Sequence, residues 1–204
     1  MTIQDFDPIE LRRLWRSDMG VFRNHLLRLN AASRHDRFGA SVSNDFIANY
    51  ADSCFGSRDL VYGAFVENNL RGVGELRSTR AVWRELTPFA LNISGEAAFS
   101  VEDGWRQRGV GEALFARIER AAGNHGVETI EIFCAWDNIA MLRLAAKFAT
   151  KFVFEQDQSM GRLTARRPTA FSLWREASRD VGDYASSMLD LQARLAAKCG
   201  QASK

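Results

Sequence analysis

Apolar residues change their spacing several times along the chain, and each spacing predicts a different element. A short strand is expected over 9–15, followed by a helix that begins at Asp18 and another that begins at Ser43 or Asn44. Segments rich in β-branched and aromatic residues then alternate with turn-forming residues. They predict an antiparallel meander of three strands, at 60–66, 71–77 and 90–101.

After residue 101 the spacing becomes that of alternating helices and strands. Apolar residues at every third or fourth position predict a helix from Val110 that ends within Gly123–Gly126, and a strand follows over 127–136. A further helix is expected from Asn138 or the residue before it, and then a hairpin with its turn at Gln158–Ser159. This order predicts an α/β (α+β) fold, with helices flanking a mixed, mostly antiparallel sheet of about seven strands.

Residues 166–204 are expected to form a helical extension of a domain that comprises residues 1–165. Seven apolar residues recur there at spacings of three and four, the a/d pattern of a coiled coil, with an interruption at Gly182. They are Trp174, Ala177, Val181, Tyr184, Met188, Leu191 and Leu195. Such a stripe packs either on the chain's own domain or on a second copy, and we hypothesise a homodimer through this helix.

Composition and charge argue against several classes of function. A net charge of +2 is too small for the concentrated basic surface of a nucleic-acid-binding protein. The first residues do not resemble a signal peptide, and no apolar run reaches the ~18 residues that span a bilayer, so we expect a cytoplasmic protein without a membrane partner. The scattered cysteines indicate reduced thiols, and the spacing of His25 and His35 indicates surface or helix-face histidines without a metal.

The segment after residue 101 carries the clearest candidate chemistry. A strand that ends at Val101 leads into the turn and helix start Arg106-Gln107-Arg108-Gly109-Val110-Gly111. Backbone N–H groups at a helix N-terminus attract anions, glycines let an anion approach closely, and arginines pair with phosphate oxygens. The residues alone therefore indicate a pyrophosphate site, although such a turn also occurs as a tight corner with solvated arginines.

The same turn resembles the motif Q/R-x-x-G-x-G/A of the GCN5-related N-acetyltransferases (GNAT). Val101 lies where the fourth strand of that family ends, and Asn138 begins a helix at the family's spacing. The resemblance extends over residues 11–165, and segments 33–38 and 96–101 are similar to bacterial Pat-type protein acetyltransferases. It implies the GNAT fold and acetyl transfer from acetyl-CoA to an amine of a protein lysine, a protein N-terminus or a small molecule.

The resemblance also implies roles for individual residues. Main-chain groups of Phe99 and Val101 would hydrogen-bond the cosubstrate, and the N–H of Phe99 would polarise the thioester carbonyl. The amides of the glycine turn would bind the pyrophosphate, and Asn138 the pantetheine arm. The full implied acetyl-CoA-binding set is Phe99, Ser100, Val101, Arg106, Gln107, Arg108, Gly109, Val110, Gly111, Asn138 and Met141, with no metal.

Removal of a proton from the attacking amine requires a general base. Glu96, just before the expected acetyl position, is the candidate for the catalytic base, and Glu75 on the preceding strand is the alternative. It also stays open that Glu96 only faces solvent or pairs with an arginine. Arg34 and Arg37 either line the acceptor site or form structural ion pairs.

One position departs from the family pattern. Many members have a tyrosine seven residues after the asparagine, where it protonates the leaving thiolate, and this chain has Ala145 there. No general acid is therefore assigned. Two other functions stay open: a catalytically silent acyl-CoA-binding module, and an interaction protein that uses the C-terminal stripe.

Overall fold

The computed structural model describes residues 8–55, 59–78, 94–135, 137–148, 151–155 and 158–202. The strands are β1 (Glu10–Leu14), β2 (Leu60–Val66), β3 (Asn69–Ser78), β4 (Ser94–Val101), β5 (Thr129–Ala135), β6 (Lys151–Glu155) and β7 (Gln158–Thr164). The helices are α1 (Met19–Arg28), α2 (Ala31–Phe38), α3 (Asn44–Ser53), α4 (Val110–Asn124), α5 (Ile139–Ala146) and α6 (Ala170–Ala202).

Within the described residues, the strands form one seven-stranded sheet in the order β1-β2-β3-β4-β5-β7-β6. Neighbouring strands are antiparallel except for β4 and β5, which are parallel. Helices cover both faces of the sheet, because its strands carry apolar residues on both sides. The structure confirms the predicted mixed, mostly antiparallel sheet with flanking helices and a C-terminal helix.

Each face of the sheet has its own apolar core. On one face α4 packs through residues such as Leu114, Phe115 and Ile118. On the other face α1 and α3 contribute buried residues such as Phe22 and Ile47. The approach of α4 depends on Gly72 of β3, where an added Cβ would lie 2.7 Å from Val110 Cγ1. The N-terminus of α4 is thereby held close against the sheet.

The structure differs from the sequence predictions at one turn and at one helix. The predicted turn at Gln158–Ser159 is wrong, because both are strand residues of β7, where Gln158 pairs with Glu155 and Ser159 with Phe154 of β6. Helix α2 was not predicted; the Asn30 side chain accepts a hydrogen bond from the Ser33 amide at its start, and Gly39 (φ +70°) ends it. The expected strand residues 90–93 lie outside the described part of the chain.

Helix α6 is continuous through Gly182, so the expected interruption is wrong. It packs on the domain through polar side chains. The Glu176 carboxylate accepts hydrogen bonds from Arg117 at 2.9 Å and from the Tyr62 hydroxyl at 3.0 Å. Further along α6, Asp180 pairs with Arg13 and Asp190 with Arg12 of β1. A stripe of charged and polar groups therefore faces the domain.

The ion pairs that hold α6 predict an acid-sensitive contact. Burial opposes ionisation of Glu176, but hydrogen bonding to Arg117 and its charge lower the Glu176 pKa. Because the pKa of Glu176 is lower in the folded chain than in the unfolded chain, its ionised form stabilises the fold at every pH above the ordinary carboxyl pKa of ~4.3. That stabilisation is lost as the pH falls through the pKa of the folded chain. Glu176→Gln should therefore lower the Tm strongly near neutral pH, and the difference from wild type should shrink in acid. A difference in Tm that is independent of pH would contradict this.

Among the described helices, none combines the length and the apolar composition that crossing a bilayer requires.

Candidate functional site

Strands β4 and β5 separate from each other partway along their length. They pair at only three positions, of which the last is Glu96 opposite Glu131. Beyond it, β4 continues to Val101 paired with β3 alone. The edge of β4 that faces β5 is therefore open over residues 97–101, and its backbone groups can hydrogen-bond an extended ligand.

A cleft of about 720 Å³ lies at this opening. One wall is the C-terminal half of β4, another is the glycine turn before α4, and a third is the beginning of α5. Most of the residues implied by the resemblance line it, namely Phe99, Ser100, Val101, Arg106, Gln107, Gly109, Gly111, Asn138 and Met141. Val110 is buried beneath the turn, and the Arg108 guanidinium lies 4.9 Å from the centre of the Trp105 ring.

The glycine turn has an unusual backbone. Gln107 (φ +59°) and Gly109 (φ +83°) both adopt the left-handed conformation, and Gly109 is the N-cap of α4. Since Gly109 has no side chain to cap the helix, the first N–H groups of α4 are left for a ligand. These amides and the helix dipole favour an anion, and a pyrophosphate is one whose charge suits this position.

The side chain of Arg106 is already engaged within the protein. Its guanidinium donates to Ser33 Oγ at 2.9 Å and pairs with Asp36 at 3.3 Å and Asp103 at 3.1 Å. Arg106 therefore connects α2 to the turn, which differs from the phosphate-directed orientation that the sequence suggested. Ser33 and Asp36 also line the cleft, and sequence reasoning did not identify them.

The start of α5 is positioned by Asn138. Its side-chain oxygen accepts a hydrogen bond from the Met141 amide at 3.0 Å, so Asn138 caps the helix and lines the cleft at the same time. Ala145, seven residues later, is fully buried. Arg143 of the same helix also lines the cleft, as do Lys147 and Glu112, whose side chains form an ion pair with each other.

Glu96 lies at the point where β4 and β5 separate. It is half-buried, and its side chain is on the α1–α3 face of the sheet, opposite Arg77 of β3. Within the described residues, the Glu96 carboxylate makes no hydrogen bond or ion pair. Glu96 is not among the residues that line the cleft, and the nearest lining residue of β4 is Phe99.

Glu75 differs from Glu96 in each of these respects. It is 1 % exposed, pairs with Arg37 at 2.7 Å and accepts a hydrogen bond from the Tyr50 hydroxyl at 2.7 Å. Burial opposes its ionisation, but the charge of Arg37 and the hydrogen bonds from Tyr50 and Arg37 lower the Glu75 pKa. The oxygens of Glu75 are occupied and shielded from substrate.

The two arginines of α2 have structural partners. Arg34 donates to the carbonyl oxygens of Leu27 at 2.7 Å and Leu29 at 3.0 Å, so it satisfies the end of α1. Arg37 is the partner of Glu75. Arg37 therefore forms the expected structural ion pair, whereas Arg34 has a structural role through hydrogen bonds to neutral oxygens.

His25 was expected on a surface or helix face, and the surface placement is wrong. It is on α1 with 0 % exposure, while His35 is exposed on α2. The Nε2 atom of His25 lies 3.0 Å from Ser100 Oγ, and its Nδ1 atom lies 3.3 Å from Glu102 Oε1. These partners are more than 70 positions away in sequence, so spacing gave no signal for them.

A group of metal-ligating residue types lies away from the cleft, where α4 meets α6. Ligand atoms of His125, Glu176 and Asp180 lie within 4.8 Å of one another. Both carboxylates already pair with guanidinium groups, Glu176 with Arg117 and Asp180 with Arg13. The packing of α6 on the domain accounts for this group.

Comparisons with known proteins agree with this geometry. The acetyltransferase (GNAT) family profile matches residues 25–149, more than half of the chain. Among curated proteins, no significant sequence match is found. Solved structures share the fold at low sequence identity, and three of them illustrate the range.

The GNAT domain of S. lividans PAT is 18 % identical, with a TM-score of 0.64 over 76 % of this chain and 90 % of that one. YncA of Salmonella typhimurium, solved with its cofactor acetyl-CoA, is 14 % identical, with a TM-score of 0.54 over 80 % and 98 %. The ribosomal-protein-S18-alanine N-acetyltransferase from Escherichia coli is 12 % identical, with a TM-score of 0.56 over 80 % and 97 %. The family match agrees with the separation of β4 from β5 and with the glycine turn. The chain therefore belongs to the acetyltransferase (GNAT) family and is an N-acetyltransferase.

Proposed function

We propose that the chain transfers acetyl directly from acetyl-CoA to a primary amine, without a covalent enzyme intermediate. The observation that carries this proposal is the cleft at the opening between β4 and β5, which the glycine turn lines. Glu96 is the last residue of β4 before that opening. The turn would hold the pyrophosphate, and the open edge of β4 would hold the pantetheine arm. The N–H of Phe99 would stabilise the negative charge that develops on the thioester oxygen.

Glu96 is proposed as the general base. An alkylammonium is mostly protonated near neutral pH, so it must lose a proton before its nitrogen can attack the carbonyl carbon. Glu96 is free to take that proton, directly or through a water molecule, whereas Glu75 is occupied by Arg37 and Tyr50. The carbon–sulfur bond then breaks, and the thiolate leaves and takes a proton from solvent. Thiols are acidic enough to leave in this way, so Ala145 does not prevent the reaction.

The acceptor is proposed to be a protein lysine, a protein N-terminus or a small amine. The purified chain should release free CoA from acetyl-CoA only when an amine is added, and the acetylated amine should form in equal amount. Lysine peptides, peptides with free N-termini and small polyamines serve as the acceptor panel. Acetyl-CoA binding without turnover across this panel would contradict the proposed reaction.

We also propose a cytoplasmic homodimer, in which residues 166–204 extend a catalytic domain of residues 1–165. Much of the a/d stripe of α6 points away from the domain, although the Tyr184 ring contacts Trp15 and Met188 and Leu191 are half-buried. Trp174 is 66 % exposed, Val181 72 %, Tyr184 51 % and Leu195 53 %. An amphipathic helix normally buries its apolar side, and here the polar side is buried instead. The apolar side is therefore available for a partner.

A second copy fits this stripe for three reasons. The spacing of three and four repeats over about three heptads, so two identical stripes can interdigitate. The neighbouring exposed positions Ser178, Ala185 and Gln192 are uncharged, so no like charges meet there. With aromatic side chains that bury ~150–250 Å² each, the stripe can cover on the order of 600 Å² per copy, close to the ~800 Å² of a stable interface.

Val181→Glu should abolish this association, because the charge would be buried at the centre of the stripe. Light scattering at micromolar concentration should give the mass of a dimer for the wild type and of a monomer for Val181→Glu. Ala193→Glu is the matched control on the same helix, since Ala193 is exposed and outside the stripe. A monomeric wild type, or a dimer that survives Val181→Glu, would refute the dimer without affecting the proposed reaction.

A further inference from the structure

His25 joins α1 to the part of β4 that borders the cleft. Its two ring nitrogens contact Ser100 Oγ at 3.0 Å and Glu102 Oε1 at 3.3 Å. Ser100 lines the cleft on the unpaired half of β4, and Glu102 follows the last residue of that strand. One fully buried side chain therefore holds the free part of the strand at two points.

Glu102 determines which ring nitrogen carries the proton. Its carboxylate also accepts hydrogen bonds from Arg28 at 2.8 Å and Arg71 at 3.0 Å. Burial opposes ionisation, but hydrogen bonds from His25, Arg28 and Arg71 lower the Glu102 pKa to about 2. An ionised carboxylate can only accept, so His25 Nδ1 donates to it. In the neutral imidazole Nε2 is then an acceptor, and the Ser100 hydroxyl donates its proton to that atom.

We propose that His25 is a positioning residue for acetyl-CoA, which acts by fixing the direction of the Ser100 hydroxyl. With its proton committed to Nε2, Ser100 has only oxygen lone pairs left for a ligand in the cleft. The pantetheine arm contains two amide N–H groups, and either one is a suitable donor to this oxygen. The inference rests on the proposed acetyl-CoA site and adds one acceptor to it, together with the residue that orients it.

The order serine, histidine, carboxylate also occurs in hydrolases that form an acyl-serine. Here both His25 and Ser100 are buried, and two arginines hold the carboxylate in addition to the histidine. A buried hydroxyl held on the α1 side of the strand is suited to accepting a hydrogen bond and poorly placed to attack the thioester. Mass spectrometry can detect an acetylated Ser100 if this assignment is wrong.

A double-mutant cycle on the full chain tests the inference. The variants are Ser100→Ala, His25→Asn and the double substitution, and the measurement is the Kd of acetyl-CoA by calorimetry. Asn keeps a donor near the position of Nδ1 for Glu102 but does not reach Ser100. Each single substitution should weaken binding about three- to tenfold, as expected for one lost or misdirected hydrogen bond. Because His25 acts through Ser100, the double variant should bind no more weakly than Ser100→Ala.

The controls separate positioning from general destabilisation. Glu176→Gln breaks a buried ion pair far from the cleft, so it should lower the Tm and leave the Kd unchanged. Additive losses in the cycle, unchanged binding of His25→Asn, or an acetyl ester on Ser100 would each overturn the inference. Wild-type chain that does not bind acetyl-CoA would instead contradict the proposed function itself.

Discussion

Glu96→Gln is expected to lower kcat about 100-fold or more while the Kd of acetyl-CoA stays near the wild-type value. General-base catalysis contributes about 10²–10⁴-fold to a rate, and the amide cannot accept the proton. Gln keeps the size of Glu, so the end of the paired region of β4 should stay intact. The measurement is steady-state release of CoA with a saturating amine, together with calorimetric binding of acetyl-CoA.

Glu131→Gln provides a matched control. Glu131 is the β5 partner of Glu96 at the last paired position, but its carboxylate pairs with Arg162 at 2.9 Å. Its substitution should change kcat by less than about threefold, as expected for loss of an exposed ion pair. The residual activity of Glu96→Gln should rise as pH approaches the ~10.4 of a lysine amine, because more of the acceptor is then neutral. Equal losses in the two variants would remove Glu96 from the role of base.

Gly109→Glu should weaken acetyl-CoA binding by on the order of 100-fold. The new carboxylate would stand at the N-terminus of α4, where the pyrophosphate is proposed to bind. Two unit charges about 5 Å apart repel by ~3 kcal/mol at an effective dielectric constant of about 20, which corresponds to about a hundredfold in Kd. Titration calorimetry or the shift in Tm caused by acetyl-CoA measures the effect.

Gly109→Ala distinguishes charge from backbone strain. Gly109 has φ +83°, so alanine is strained there, but an added Cβ meets no atom within 4 Å. The alanine variant should lose stability by about 1 kcal/mol and keep most of its affinity. If both variants bind acetyl-CoA equally well, the turn is a structural corner and the pyrophosphate binds elsewhere.

The sequence was sufficient for the parts of the fold that depend on local periodicity. The strands of the meander, α4 and the capping of α5 by Asn138 follow from spacing and residue type alone. The glycine turn was visible for the same reason, because its geometry depends on consecutive residues. The predicted hairpin turn was wrong, since strand pairing continues through the polar positions Gln158 and Ser159.

Contacts between distant polar residues could not be predicted in this way. Apolar periodicity identified the stripe of α6 but not which side of the helix faces the domain. That orientation depends on ion pairs between acidic residues of α6 and three arginines, namely Arg12 and Arg13 of β1 and Arg117 of α4. The engagement of Arg106 by α2 and the burial of His25 depend on partners about 70 positions away or more. Such pairs leave no pattern in a single sequence.

If acetyl-CoA binds as proposed, the separation of β4 from β5 makes it a structural component of the sheet. The amides of residues 97–101 on the open edge have no β5 partner, so they should exchange with solvent deuterium faster than those of the paired half. In the proposed binding mode, acetyl-CoA would take the place of the missing strand and should slow this exchange. Because a ligand that binds only the folded state stabilises it, the lifetime of the folded chain should follow the supply of acetyl-CoA.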